Sequence, residues 1–119
     1  MRRLLLLVAV ALLASACGAD ELSLIDDPEA VEATYEYVVP AGAGEAYDRG
    51  EPLEILPAEL EARVGEVIRI RNEDDRGHIV GPFYVGPGET LVQRFASAGV
   101  FVGQCTVHPS GQFELSVVE

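Results

Sequence analysis

The sequence contains no tryptophan and no lysine, and it has only two cysteines, two histidines and one methionine. Without lysine, eight arginines face 20 acidic residues, and the formal net charge is −12. Such a charge argues against nucleic acid or an anionic membrane surface as a partner. Two histidines also exclude any site that requires many imidazoles.

No apolar run reaches the roughly 20 residues that a membrane-spanning helix needs. Instead, Arg2 and Arg3 precede about ten apolar residues and a group of small residues, an order typical of a secretory signal. The ending at Cys17 resembles a bacterial lipobox, although Ala14 stands where leucine is usual. We predict a signal peptide over 1–16 and a lipidated, flexible acidic tether over 17–33. An ordinary signal peptide with a chance cysteine is the alternative.

Cleavage after residue 16 would remove Arg2 and Arg3 and change the net charge from −12 to −14. A lipid at Cys17 would hold this acidic protein on the outer side of the bacterial cytoplasmic membrane, on its periplasmic or extracellular face. Cys105 would then have no partner for a disulfide within the chain. Metal ligation is one way to protect a lone thiol from oxidation outside the cytoplasm.

Short runs rich in β-branched and aromatic residues alternate with turns rich in the 12 glycines and seven prolines. Such spacing predicts an all-β protein, a Greek-key sandwich of seven to eight strands in one domain over 34–119. Residues 40–51 are predicted to form a polar loop. The candidate strand runs are 34–39, 53–56, 59–64, 66–71, 89–95, 100–105 and 113–118, and the stretches 78–80 and 81–85 lie between the turns in the middle of the chain.

Cys105 and His108 are three residues apart where a strand ends in a Pro/Gly turn, and Gln112 follows. The other histidine, His78, also lies in a turn-rich stretch. Two imidazoles and a thiolate with a weak axial donor are the ligands of copper sites that change little between oxidation states. The residues therefore predict copper held by His78, Cys105 and His108.

Nearly the whole chain after residue 33 resembles the cupredoxins, the small blue-copper proteins. The residues that carry the resemblance are Asn72-Glu73-Asp74 leading to His78, Pro87-Gly88, Phe95, Gly99 and Cys105-x-x-His108-Pro109. The resemblance implies a cupredoxin-like sandwich and a copper cofactor. It also implies that His78 and His108 are imidazole ligands and that Cys105 is the thiolate.

Two positions differ from the usual pattern of the family. Its axial methionine has no counterpart, because the only methionine is Met1; Gln112 is nearest, as in members with a stellacyanin-like axial glutamine. Many members also carry asparagine after the first histidine, where it connects the two ligand loops. Ile79 occupies that position here, while Thr106 keeps the usual hydroxyl. We expect backbone contacts to replace this connection.

The resemblance implies a one-electron carrier with an unidentified redox partner protein, not an enzyme, and we expect a monomer. A copper-holding or copper-delivery lipoprotein whose metal does not cycle is the alternative function. A metal-free sandwich used for interaction is a third possibility. A Cys-His nucleophile lacks an evident third group, and structural zinc would require a fourth strong ligand.

Overall fold

The computed structural model describes residues 29–119, which form eight strands and one short helix. Among these residues, no helix is long and apolar enough to cross a membrane. The predicted signal peptide, Cys17 and most of the predicted tether lie outside the described residues. The elements are β1 (Tyr35–Val39), α1 (Ala43–Asp48), β2 (Glu59–Arg63), β3 (Val67–Asn72), β4 (His78–Val80), β5 (Phe83–Val85), β6 (Thr90–Arg94), β7 (Gly99–Gln104) and β8 (Gln112–Val118).

The strands form two three-stranded sheets and a hairpin. One sheet has the order β1-β3-β6, the other β2-β8-β7, and β4 pairs with β5. β1 runs parallel to β3, and β2 runs parallel to β8, whereas the β3–β6 and β7–β8 pairs are antiparallel. The prediction of an all-β fold with seven to eight strands is confirmed by these strands.

The core lies between the two sheets, because each contributes one apolar face to it. In β8, Phe113, Leu115 and Val117 are buried and alternate with more exposed residues, as expected for a strand with one face on the core. Ile68 and Ile70 of β3 are fully buried in the same cluster. A fully buried side chain of this size contributes about 1.5–3 kcal/mol through apolar transfer.

The last residues of the predicted tether lie against β3. The guanidinium of Arg69 donates to the carbonyl oxygens of Glu29 and Val31, and Arg71 pairs with the Glu29 carboxylate at 2.9 Å. Because Ile68 and Ile70 face the core, Arg69 lies on the opposite face of the sheet. The residues that cover this face explain why Arg69 is nevertheless buried.

Two local predictions are wrong. Residues 53–56 form no strand: the Ile55 amide donates to the Val107 carbonyl at 2.9 Å, and Leu56 is buried in the core without a paired strand. Within the predicted polar loop, Ala43–Asp48 form α1 instead. The small side chains of Ala43 and Ala46 pack inward, and the first turn of the helix is stabilised by a carboxylate distant in sequence.

Candidate metal centre

Backbone contacts join β4, which begins at His78, to the loop that begins at Cys105 after β7. Val80 and Cys105 form an isolated antiparallel bridge. The Thr106 amide donates to the Ile79 carbonyl at 3.0 Å, and the Gly81 amide donates to the Gln104 carbonyl at 2.8 Å. These bonds are the backbone connection expected where Ile79 replaces asparagine.

Glycine at position 103 permits this close approach of β4 to β7. A Cβ atom there would lie 2.7 Å from the carbonyl oxygen and 2.9 Å from the Cα of Gly81. Both are backbone atoms that cannot rotate away, so a side chain would push the two strands apart. Gly103 therefore sets the spacing of the strands that lead into the candidate site.

A buried chain of hydrogen bonds runs from Thr106 through His78 to Asp74. His78 Nδ1 lies 2.8 Å from the Thr106 hydroxyl, and His78 Nε2 lies 2.8 Å from Asp74 Oδ2. The side chains of His78 and Asp74 are 2% and 3% exposed, so water does not compete for these bonds. Both ring nitrogens of His78 are thus engaged within the protein.

Asp74 also accepts hydrogen bonds from the start of α1. The Gly42 amide donates to Oδ1 at 3.0 Å, and the Gly44 amide donates to Oδ2 at 2.8 Å. Burial would raise the pKa of Asp74, but the bonds from His78, Gly44, Gly42 and the Asp75 amide together hold this pKa below its ordinary value. Asp74 is therefore an ionised acceptor that joins α1 to His78.

Asn72 shapes the loop that presents Asp74. Its side-chain amide donates to the carbonyls of Arg76, Val85 and Gly86, at 2.7, 3.1 and 3.1 Å. Its side-chain oxygen accepts the Asp74 amide at 3.0 Å. All hydrogen-bonding groups of this buried amide are used, and the β3–β4 loop is fixed to β5 as a result.

The partners of His78 determine which ring nitrogen carries the proton in the neutral imidazole. An ionised carboxylate can only accept, so Nε2 bears the hydrogen and donates it to Asp74. Nδ1 then carries a lone pair that accepts from the Thr106 hydroxyl at 2.8 Å, a shorter contact than the 3.4 Å from the same hydroxyl to the Ile79 carbonyl. Metal-ligating histidines commonly donate their other ring N–H to a carboxylate in this way.

His108 offers its Nδ1 lone pair as well. The backbone amide of Ser110 donates to Nδ1 at 3.0 Å, while the Ser110 hydroxyl donates to the Gln112 carbonyl at 3.0 Å. Nε2 lies 3.8 Å from the Glu54 carboxylate, and the side chain is 14% exposed. His108 is thus partly accessible, and its ring orientation is set by its own loop.

Cys105 is a fully buried free thiol. Burial raises the pKa of this thiol, and a backbone hydrogen bond from Val107 opposes the rise. Its own amide donates to the Gly111 carbonyl at 2.9 Å, which closes the loop of residues 105–111. Because the effect of burial exceeds that of the Val107 bond, the protonated thiol is favoured in the metal-free protein.

Gln112, the predicted axial ligand, is an exposed residue at the start of β8, paired with Gln104. Across residues 29–119, no three His, Cys, Asp or Glu side chains are gathered where they could hold one metal ion together. Thr106 connects His78 to the Cys105 loop, but no three-donor centre is assembled within this described part of the chain. The ligand set of His78, Cys105, His108 and Gln112 stays a prediction.

Sequence reasoning gave Asp74 no role of its own in the candidate centre. One signal that could have identified it is its position four residues before His78, in a turn. Another is the run of small residues at 42–44, whose backbone amides need a hydrogen-bond acceptor. Neither signal is specific without the fold, because the partners are 30 and 32 residues apart in sequence.

No family model and no curated protein matches the chain. Solved structures similar to it include a purple cupredoxin from Nitrosopumilus maritimus, at 21% identity and a TM-score of 0.46, covering 71% of this chain and 99% of that one. Amicyanin from Paracoccus versutus is similar at 17% identity and a TM-score of 0.47, covering 76% and 88%. A reduced Cu(I) form of an amicyanin mutant at pH 4 is similar at 16% identity and a TM-score of 0.45, covering 76% and 89%.

Proposed function

We propose that this protein binds copper through Cys105, His108 and His78 and carries one electron outside the cytoplasmic membrane. The observation that supports it most directly is the orientation of the two imidazoles. In both, Nδ1 presents a lone pair to a neutral hydrogen-bond donor, Thr106 or Ser110, while Nε2 faces a carboxylate. Neutral imidazole, whose lone pair a metal can take over from such a donor, is the form that binds metal.

The chemistry of the donor set fits copper, even though the described side chains are not gathered in one cluster. A thiolate and two imidazoles suit copper in both of its oxidation states. The Val107 amide that bonds to the Cys105 sulfur favours its ionised form. Bound copper would supply a one-electron couple, and the chain's own residues would hold the imidazoles and exclude water.

Thr106 and Ser110 close the candidate centre in the metal-free chain. Each occupies the lone pair of an imidazole that the metal would need, so each bond must break when the metal enters. Neutral hydrogen bonds of this kind contribute about 0.5–1.5 kcal/mol each, which is far smaller than the free energy of a typical metal–ligand set. Breaking these two hydrogen bonds would therefore reduce the free energy of metal binding only slightly.

Titration of the purified protein with Cu(II), followed by visible absorption, tests this function. We expect an intense band from thiolate-to-copper charge transfer, and a reversible one-electron wave in voltammetry. A band without a reversible wave would favour the copper-holding lipoprotein. A colourless protein with weakly bound copper would exclude both and leave the metal-free interaction module.

Gln112 is proposed as the axial ligand because the chain has no methionine beyond Met1. An amide oxygen favours Cu(II) more than a thioether does. We therefore expect Gln112→Met to raise the reduction potential, as measured by voltammetry of the two copper-loaded proteins. An unchanged or lowered potential would remove Gln112 from the centre, a result that its exposed position on β8 makes a meaningful test.

The proposed location rests on the leader sequence alone. Arg2 and Arg3, the apolar run and Cys17 support export and attachment through a lipid. We expect the protein in bacterial membranes to begin at residue 17 with a lipid mass on its cysteine, and Cys17→Ser to release it from the membrane. Mass spectrometry of the membrane fraction checks both; an unmodified start at any other residue would contradict the anchor.

A further inference from the structure

β7 is an edge strand with an apolar, uncharged surface. It is the outer strand of the β2-β8-β7 sheet. Val100, Phe101 and Val102 are 64%, 41% and 52% exposed, and no residue of Gly99–Gln104 carries a charge. An exposed apolar edge is a template for pairing with another strand, which proteins usually block with charge, proline or a bulge. None of these devices occurs in β7.

The backbone groups on the free side of β7 belong to Val100 and Val102. The Cys105 amide points toward the β8 side and donates to the Gly111 carbonyl. The Gln104 carbonyl points away from β8 and accepts the Gly81 amide. Because hydrogen-bonding direction alternates along a strand, Val102 and Val100 face the same way as Gln104. Within residues 29–119, no backbone partner is found for either valine on that side.

An open apolar cavity lies beside the same edge. It has a volume of about 220 Å³ between β6 and β7, and its apolar lining includes Phe83, Phe95, Phe101 and Leu115. Phe101 is opposite the buried Leu115, so its ring is on the core face of the sheet although it is 41% exposed. The sandwich is therefore incompletely closed beside Val100 and Val102, in the part of the β7 edge that precedes the contact with Gly81.

We propose that β7 pairs antiparallel with β7 of a second copy of this chain, around a two-fold axis at Phe101. The segment Gly99-Val100-Phe101-Val102-Gly103 reads the same in both directions. In that register, Val100 lies opposite Val102 of the second copy, so the unpaired groups of both chains meet and form four backbone hydrogen bonds. The two Phe101 rings face each other on the core side and cover the open cavities.

The charges near the β7 edge do not prevent a second copy from pairing there, although the chain as a whole is acidic. The nearest acid on the outer face is Glu114, opposite Val102 on β8. In the paired sheet, three strand spacings of about 4.8 Å would separate the two Glu114 residues, roughly 14 Å, which exceeds the Debye length of about 8 Å at 0.15 M salt. The remaining repulsion between two acidic chains predicts that pairing strengthens as salt concentration rises.

Pairing through one short edge buries little surface, so we expect the dimer to be weak. A dimer of any strength differs from the monomer expected from the sequence. Interfaces below about 1,200 Å² belong to transient associations. We expect a dissociation constant between roughly 1 µM and 1 mM, measured by sedimentation velocity over that concentration range. A protein that stays monomeric up to about 1 mM in 0.15 M salt would overturn the proposal.

Val102→Pro tests the strand itself, because it removes only an amide that faces away from β8. Proline is tolerated on an edge strand at such a position. We expect at least a tenfold weaker dimer, while the matched control Val102→Thr, which keeps the amide, dimerises as wild type within a few-fold. Equal dimerisation of wild type and Val102→Pro would contradict pairing through β7.

Hydrogen exchange measured by NMR on the wild-type protein gives a readout that does not depend on how the variant folds. The amides of Val100 and Val102 should become more protected as protein concentration rises. The Phe101 amide faces β8 and should be protected at every concentration. A dimer that leaves the exchange of Val100 and Val102 unchanged would use another surface, and the proposal would fail.

Discussion

Asp74→Ala is expected to destabilise the metal-free protein by about 3–5 kcal/mol, because it leaves three donors at a buried site unsatisfied at a cost of about 1–3 kcal/mol each, partly offset by local relaxation. The carboxylate accepts from the Gly42 and Gly44 amides and from His78, and its side chain is 3% exposed. Its removal leaves these donors without an acceptor in a place that water does not reach. A loss of this size is a large part of the 5–15 kcal/mol that stabilises an ordinary domain.

Urea unfolding followed by circular dichroism measures this effect, and Asp75→Ala is the matched control. Asp75 is the next acid in the same loop, and it is exposed. A substitution there should change the free energy of unfolding by no more than about 0.5 kcal/mol. If Asp74→Ala and Asp75→Ala destabilised the protein equally, the buried chain of bonds would not have the role assigned to it.

The pH dependence of the same measurement has a defined direction. Because the fold lowers the pKa of Asp74, its stabilisation is complete above about pH 4, the ordinary pKa of a carboxyl group. It is lost as pH falls toward the lowered value of the folded state, where the carboxylate becomes protonated. The difference in stability between wild type and Asp74→Ala should therefore be largest near neutral pH and shrink in acid.

Most strands could be predicted from the sequence because their evidence is local. Alternating apolar residues and Gly/Pro turns identify β8, for example, where Phe113 and Leu115 face the core. The helix α1 could not be predicted, since six residues rich in glycine and alanine have little intrinsic helical stability. The carboxylate that accepts its first amides comes from Asp74, 30 residues later.

The false strand at residues 53–56 has a similar cause. Leu56 is buried, and Leu53 and Ile55 are partly buried against the same core. This packing needs no partner strand, and a single backbone bond links Ile55 to Val107. A short apolar run indicates an inward-facing segment and does not by itself specify a partner strand. Pairing depends on which edges the rest of the chain leaves open.

For the candidate centre, sequence spacing indicated two segments that meet in the fold, but it did not indicate which atoms face each other. The loops of His78 and Cys105 do meet, through Thr106 and Ile79. The sequence could not show that the His78 ring is held between Asp74 and Thr106, because ring orientation depends on buried hydrogen bonds between distant segments. Because both ring nitrogens of His78 are hydrogen-bonded within the protein, the proposed function is tested most directly at Cys105, the only sulfur donor proposed.

Cys105→Ser should abolish the visible charge-transfer band completely, because a hydroxyl does not replace thiolate as a copper ligand. The Cys105 sulfur is fully buried and accepts a bond from the Val107 amide, so serine fits the space and keeps a hydrogen-bonding group there. The matched control is Cys17→Ser, which removes the other of the two cysteines and should leave the band unchanged. Absorption after addition of one equivalent of Cu(II), together with a thermal melt of each variant, separates loss of the ligand from loss of the fold. A folded Cys105→Ser protein that keeps the band, or a Cys17→Ser protein that loses it, would show that copper binds elsewhere than at the loop following β7.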